Sequence, residues 1–172
     1  GAAMHMNIEN HVHLNAPDQE IFDNLCLRFA QHFDGTMNIA TPMIKLRAKA
    51  DAQSPSDEAT VLAVDGFSHV TRHIRSAVIS PIATISPQLM LETIQRVMQQ
   101  YPRFIEDART ATMNTVYFDA NERADIDARL ADIGSICTDL KAFADSHLEG
   151  LPSVSDAWYT SRSETRNCNR RD

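Results

Sequence analysis

Two histidines, His69 and His73, lie four residues apart in the stretch FSHVTRHIRS, which has helical character. That spacing places both imidazole rings on one face of a helix, an arrangement that can bind zinc or iron. Asp65 lies four residues before His69, so the three side chains form one row and are candidate metal ligands. Alternatively, the two histidines lie at the boundary of a packing surface, where their ring nitrogens reach water or a carbonyl. We favour the boundary interpretation and keep a metal- or small-ligand-binding helical bundle as an alternative function.

A second charged cluster follows Pro102 and comprises Arg103, Glu106, Asp107 and Arg109. Adjacent carboxylates can act as general acid and base when one of them is buried. Clusters of this kind are more commonly sets of surface ion pairs. The cluster gives a third hypothesis, a small enzyme. The sequence favours a non-enzymatic protein, because it contains no P-loop, GxGxxG, GxSxG, HExxH or CxxC motif.

The three cysteines show no paired spacing that would indicate a disulfide framework. Cys26 and Cys137 fall within apolar stripes, where thiols are usually packed and unreactive, and Cys168 lies in a polar tail. We therefore expect a reducing, cytoplasmic location, with delivery by a specialised secretion system as the alternative. No cofactor is expected apart from a metal ion at the histidine pair.

Composition and charge narrow the classes of partner. The 172 residues suit one domain, and 43% of them are hydrophobic, which is ordinary for a globular protein. The net charge of −7 argues against nucleic acid as a partner, because phosphate contacts need clustered Lys and Arg. No apolar run is long enough to predict a membrane span.

The pattern of breakers and apolar residues predicts the elements that position these side chains. With five glycines and seven prolines, mostly at the edges of periodic segments, the chain favours helices. We predict an all-α, single-domain antiparallel bundle of five or six helices with a long C-terminal helix. Its predicted parts are a tag-like extended segment at 1–14, the bundle at 15–150, and a tail at 151–172 that is partly packed and then flexible.

Proline positions suggest where several helices begin or end. Pro17 suits the first turn of the first helix, Thr41 is the predicted cap of the second, and the third is predicted to open at Ser54 and Pro55. Pro102 is expected to break or kink the fourth helix.

The clearest periodic signal lies near the C-terminus, where apolar residues alternate spacings of four and three. They are Ile126, Leu130, Ile133, Cys137, Leu140 and Ala144. This stripe predicts the seam of an antiparallel bundle, and residues 126–144 are also a candidate face for homodimer formation.

Three apolar residues are candidate interaction residues. Leu27 points away from the stripe of its own helix, and Ile136 and Phe143 widen the C-terminal stripe on one flank. Together with the dearth of catalytic motifs, they favour a protein–protein interaction module. We expect a regulator, adaptor, effector or immunity-type bacterial protein whose partner is another protein or a second copy of the chain.

Overall fold

The computed structural model describes residues 10–33, 38–79 and 86–155, with the side chains of 77–79 excepted. Within these ranges the chain forms five α-helices and no strand: α1 (Ala16–Gln31), α2 (Ala40–Asp51), α3 (Glu58–Ile79), α4 (Pro87–Asn114) and α5 (Ala120–Leu148). The predicted all-α helical bundle with a long C-terminal helix is therefore confirmed. None of the described helices combines the length and apolarity that crossing a membrane requires.

Contacts at both ends of neighbouring helices show that the helices run antiparallel. Between α4 and α5, Gln95 donates a hydrogen bond to Asp145 (2.7 Å) at one end, and Arg109 donates one to Asp127 (2.8 Å) at the other. Two further pairs show the same order. The contacts are Arg28–Asp139 and His32–Asp132 for the end of α1 and α5, and Gly66–Phe104 and Thr71–Tyr101 for α3 and α4.

The core is centred on α4, which packs against both α3 and α5. Tyr101 is fully buried, and its ring stacks on Phe67 with 5.9 Å between centroids. Its hydroxyl lies 2.7 Å from the hydroxyl of Thr71, so the buried polar group is satisfied. Burial raises the pKa of Tyr101, which therefore stays protonated and neutral.

The start of α1 agrees with the sequence, whereas the start of α2 does not. Asn15 caps α1 by accepting from the backbone N–H of Asp18 (2.9 Å), and Pro17 lies in the first turn as predicted. The predicted cap at Thr41 is wrong, because α2 begins one residue earlier, at Ala40. The Asn38 side chain accepts from that residue's N–H instead (2.8 Å).

The predicted opening of α3 at Ser54 and Pro55 is also wrong. The helix begins at Glu58, and the carboxylate of Asp57 accepts from the backbone N–H of Thr60 (3.2 Å) and from its hydroxyl (2.7 Å). Asp57 therefore acts as the cap, since its side chain satisfies a backbone donor that has no partner in the helix.

A helix break at Pro102 is likewise wrong. The helix α4 runs without interruption from Pro87 to Asn114, with Pro102 inside it at an exposed position. The helix is held along its length by α3 and α5, so tertiary packing offsets the backbone hydrogen bond that the proline removes.

The first turns of α4 form hydrogen bonds with the segments that flank the bundle. Gln88 is 1% exposed, accepts from the backbone N–H of His11 (2.7 Å), and donates to the carbonyl of Pro152 (2.8 Å). One turn later, the buried carboxylate of Glu92 accepts from the backbone N–H of Val154 (3.0 Å) and from the hydroxyl of Ser155 (3.1 Å). Residues 10–11 and 152–155 are therefore hydrogen-bonded to α4. Residues 1–9 and 156–172 of the predicted terminal segments lie outside the described ranges.

Candidate functional site

A groove of about 540 Å³ lies between α3 and the C-terminal half of α4. Small residues open it, because Ala59, Ala63 and Gly66 on α3 face Ala111 on α4 and leave little side-chain volume between the helices. The groove begins at the Asp57 cap of α3 and extends for about two turns along both helices.

Phe104 closes one end of the groove by packing its ring over Gly66. A Cβ atom added at Gly66 would lie 3.1 Å from Cδ1 of Phe104 and 3.2 Å from Cε1. The close neighbour of this glycine is thus an aromatic side chain. The missing Cβ atom lets the Phe104 ring approach α3 closely.

The rim of the groove exposes apolar surface beside acidic groups. Leu62 lines the groove and remains 71% exposed, although leucine is usually buried. Asp57 and Asp107 also line it, and these two charged residues are both acidic. An exposed apolar groove with carboxylates at its edge is suited to a ligand with an apolar face and basic flanks.

The histidine pair lies on the same face of α3, beyond the groove. The Nε2 atoms of His69 and His73 are 3.3 Å apart, and their rings meet edge to face with 4.7 Å between centroids. Both side chains are exposed. At 100° per residue, Leu62 and Gly66 fall on the same face as the two histidines.

Asp65, the predicted third metal ligand, has a different partner. Its carboxylate receives two hydrogen bonds from Arg47 of α2, from Nε at 2.6 Å and from Nη2 at 3.3 Å. This pairing raises the pKa of the Arg47 guanidinium through the hydrogen bond and the charge of Asp65. Among the described residues, no group of three or more His, Cys, Asp and Glu side chains is arranged to hold a metal ion.

The charged cluster after Pro102 is divided by the fold. Arg109 turns towards α5, where its Nε lies 2.8 Å from Asp127, and its Nη1 lies 3.5 Å from Glu106. The hydrogen bond and charge of Asp127 raise the pKa of Arg109. Arg103 and Glu106 are exposed, whereas Asp107 lines the groove. Glu106 and Arg109 of the predicted catalytic patch therefore remain an ion pair, whereas Asp107 lies at the groove and Arg109 also binds α5.

Two of the three predicted interaction residues are core residues. Ile136 is 1% exposed and Phe143 is 8% exposed, with the Phe143 ring 5.4 Å from that of Phe22 on α1. The wide stripe of α5 reflects its contacts with α1 on one side and α4 on the other, so the predicted surface role is replaced by a packing role. Leu27 is 58% exposed and remains a surface residue.

The predicted homodimer face is occupied within the chain. The six stripe residues between 126 and 144 are each at most 3% exposed, and α4 and α1 are the helices that contact α5 most. Self-association through this stripe would require the bundle to open.

The described cysteines have the packed environment that the stripes indicate. Cys137 is 2% exposed and Cys26 is partly buried, and both are free thiols. Burial, with a smaller contribution from the charge of Asp23, raises the pKa of Cys26 to about 12. Burial also raises the pKa of Cys137. Cys168 lies outside the described residues.

The groove was not among the sites predicted from the sequence, although two of its residues could have indicated it. Leu62 and Gly66 occur beside the histidines at the edge of the α3 stripe, and an exposed leucine next to a glycine in a helix is compatible with an open packing surface. The α4 side of the groove has no comparable signal, because which face of Phe104 and Ala111 meets α3 depends on helix pairing.

The chain matches no protein-family model, no curated protein and no solved structure.

Proposed function

We propose that this protein is a non-enzymatic protein–protein interaction module whose groove between α3 and α4 binds a short amphipathic helix of another protein. The observation that carries the proposal is the open apolar groove, with Leu62 71% exposed at its rim and the carboxylates of Asp57 and Asp107 beside it. Two antiparallel helices with a shallow groove between them form a surface on which a third helix can pack.

The length of the groove predicts the length of the partner helix that it would bind. From Ala59 to Gly66, α3 spans about two helical turns at about 1.5 Å per residue. A bound helix of similar length would present apolar residues at positions i, i+3 or i+4, and i+7. The small side chains of Ala63 and Gly66 allow its backbone to approach closely, and Leu62 would become buried against it.

The negative charge of the groove and of the whole chain favours a basic partner. Asp57 and Asp107 lie at the groove, and the whole chain carries a net charge of −7. Lysine or arginine flanking the apolar face of the partner helix would meet these carboxylates. The net charge would also steer such a partner towards the protein at low ionic strength.

The proposal can be tested by selecting binders from a displayed library of amphipathic helical peptides. Selected peptides should combine spaced apolar anchors with Lys or Arg. Their affinity for Leu62→Lys should fall by at least about tenfold, because burying a leucine contributes about 1.5–3 kcal/mol and a new cation would repel the peptide.

Leu27→Lys is the matched control, because it changes an exposed leucine of α1 that lies outside the groove. It should leave peptide affinity unchanged. A second pair compares Asp107→Asn, at the groove, with Glu106→Gln, its exposed neighbour. Equal binding to Leu62→Lys and the unchanged protein, or loss of binding only in Leu27→Lys, would contradict the groove as the docking surface.

A further inference from the structure

We propose that His69 and His73 form a binding site for a tetrahedral divalent cation of the zinc type, with two coordination positions left open. The inference rests on the geometry of the two imidazole groups and does not depend on the proposed docking function. The site differs from the three-residue row predicted from sequence, because Asp65 is bound to Arg47.

The distance between the two nitrogen atoms carries the inference. A tetrahedral zinc ion with Zn–N bonds of about 2.0–2.1 Å requires two ligand nitrogens about 3.3–3.4 Å apart. The Nε2 atoms of His69 and His73 lie 3.3 Å apart. A square-planar or octahedral ion with similar bond lengths would need adjacent nitrogens only about 2.8–3.0 Å apart. The pair therefore has the spacing of a tetrahedral edge.

Zinc would be bound by the neutral form of each imidazole, because a metal ligand nitrogen must carry a free lone pair. Each neutral imidazole would hold its proton on Nδ1 and direct the Nε2 lone pair at the metal. In the metal-free protein at least one ring can carry its proton on Nε2 and donate it towards the other, at a distance that is long for a hydrogen bond.

The surroundings leave the outer side of the pair open. His69 and His73 are both exposed, so the two remaining positions would be filled by water or by donors from another molecule. The pair lies on the same face of α3 as Leu62 and Gly66, so a protein bound in the groove would come close to those positions. An open coordination site of this kind is typical of zinc that exchanges ligands rather than zinc that only stabilises a fold.

Zinc binding can be measured on the full chain by competition with a chromophoric zinc indicator after treatment with a chelator. A Cys168→Ser background removes the cysteine that lies outside the described residues. We expect one zinc ion per chain. Removal of one ligand of a two-ligand chelate should weaken binding by at least about tenfold, in His69→Gln and in His73→Gln alike.

The matched control is the double variant His11→Gln, His13→Gln. These two histidines are also exposed, but they lie two residues apart outside the helices and lack the one-turn spacing of the pair on α3. It should bind zinc as tightly as the parent. Nitrogen chemical shifts of the histidine rings give a second readout, since zinc should shift Nε2 of residues 69 and 73 only.

Unchanged zinc affinity in both single variants, or shifts confined to other histidines, would overturn the assignment, as would an absence of zinc binding by the parent. Far-UV circular dichroism verifies that the variants remain helical, which is expected because both side chains are exposed. Loss of zinc binding in Leu62→Lys is not expected, so failure of this proposal is distinguishable from failure of the docking groove.

Discussion

At the scale of single residues, burial decides which of the titratable side chains retain ordinary reactivity. Cys26 and Cys137 have raised pKa values because their thiolates would have to lie among apolar atoms. Asp145 shows the opposite shift. The hydrogen bonds that it accepts from Lys141 and Gln95 lower the pKa of its carboxyl, since they stabilise the charged form. Side chains of similar chemistry thus differ through the partners that the fold supplies.

The thiols should be unreactive in the folded protein. In a Cys168→Ser background, we expect Cys26 and Cys137 to react slowly with a thiol reagent at about pH 8, because reaction requires the thiolate. Both should react rapidly after denaturation, as followed by the absorbance of the released chromophore. Rapid reaction of either cysteine without unfolding would contradict the packed environment.

The raised pKa of Cys26 also predicts a dependence of stability on pH. Between the unfolded pKa of about 8.5 and the folded value of about 12, the unfolded state releases the thiol proton and the folded state keeps it. The contribution of Cys26 is therefore fully present below about pH 8 and declines as pH rises through this window. Denaturant unfolding at several pH values should show the stability difference between the parent and Cys26→Ala shrinking as pH rises. A constant difference would exclude this linkage.

At the scale of the helices, the side chains at each interface determine how closely two helices approach. Gly66 and Gly134 both lie inside helices, but only Gly66 has a neighbour close to the position of a Cβ atom. Phe104 occupies that space beside α3, whereas nothing lies within 4 Å at Gly134. The contact with Phe104 therefore accounts for glycine at position 66, whereas no such contact accounts for Gly134.

These two glycines make a matched pair of substitutions. Gly134→Ala should stabilise the protein by about 0.5–1 kcal/mol, because alanine favours the helix and meets no neighbour. Gly66→Ala should stabilise it less or destabilise it, because the ring of Phe104 must move by a few tenths of an ångström. Denaturant unfolding measures both. An equal gain from the two substitutions would show that Phe104 does not constrain α3.

At the scale of the whole molecule, the N-terminal end of α4 joins parts of the chain that are far apart in sequence. Gln88 contacts His11 on one side and Pro152 on the other. The Gln88 side chain is buried. If it were removed, the groups that it binds would lack a hydrogen-bond partner, which costs free energy. This one side chain therefore helps to hold both flanking segments against the bundle.

Gln88→Ala should lower the free energy of unfolding by about 1–3 kcal/mol, because it leaves buried polar groups without partners. The exposed Gln100, on the same helix, provides the control Gln100→Ala, which should have little effect. Hydrogen exchange of the His11 amide should become faster in Gln88→Ala, since that N–H donates to the Gln88 side chain. Unchanged exchange would show that the segment is held by other contacts.

Helical periodicity along the chain was sufficient to predict the fold class and the buried face of the C-terminal helix. The spacing of residues 126–144 correctly indicated the buried side of α5. These features are local, because helical periodicity depends only on neighbours along the chain. The unreactive environment expected for Cys26 and Cys137 follows from the same stripes.

Which helices contact each other became known from the three-dimensional packing alone. It assigned Asp65 to Arg47 and buried Ile136 and Phe143 between neighbouring helices. It also opened the groove beside Leu62 and Phe104. A helical stripe identifies which side chains face inward but not which helix they face, since that choice depends on contacts between residues distant in sequence. The candidate sites arise at these contacts, so their residues could be proposed from the sequence but their geometry could not.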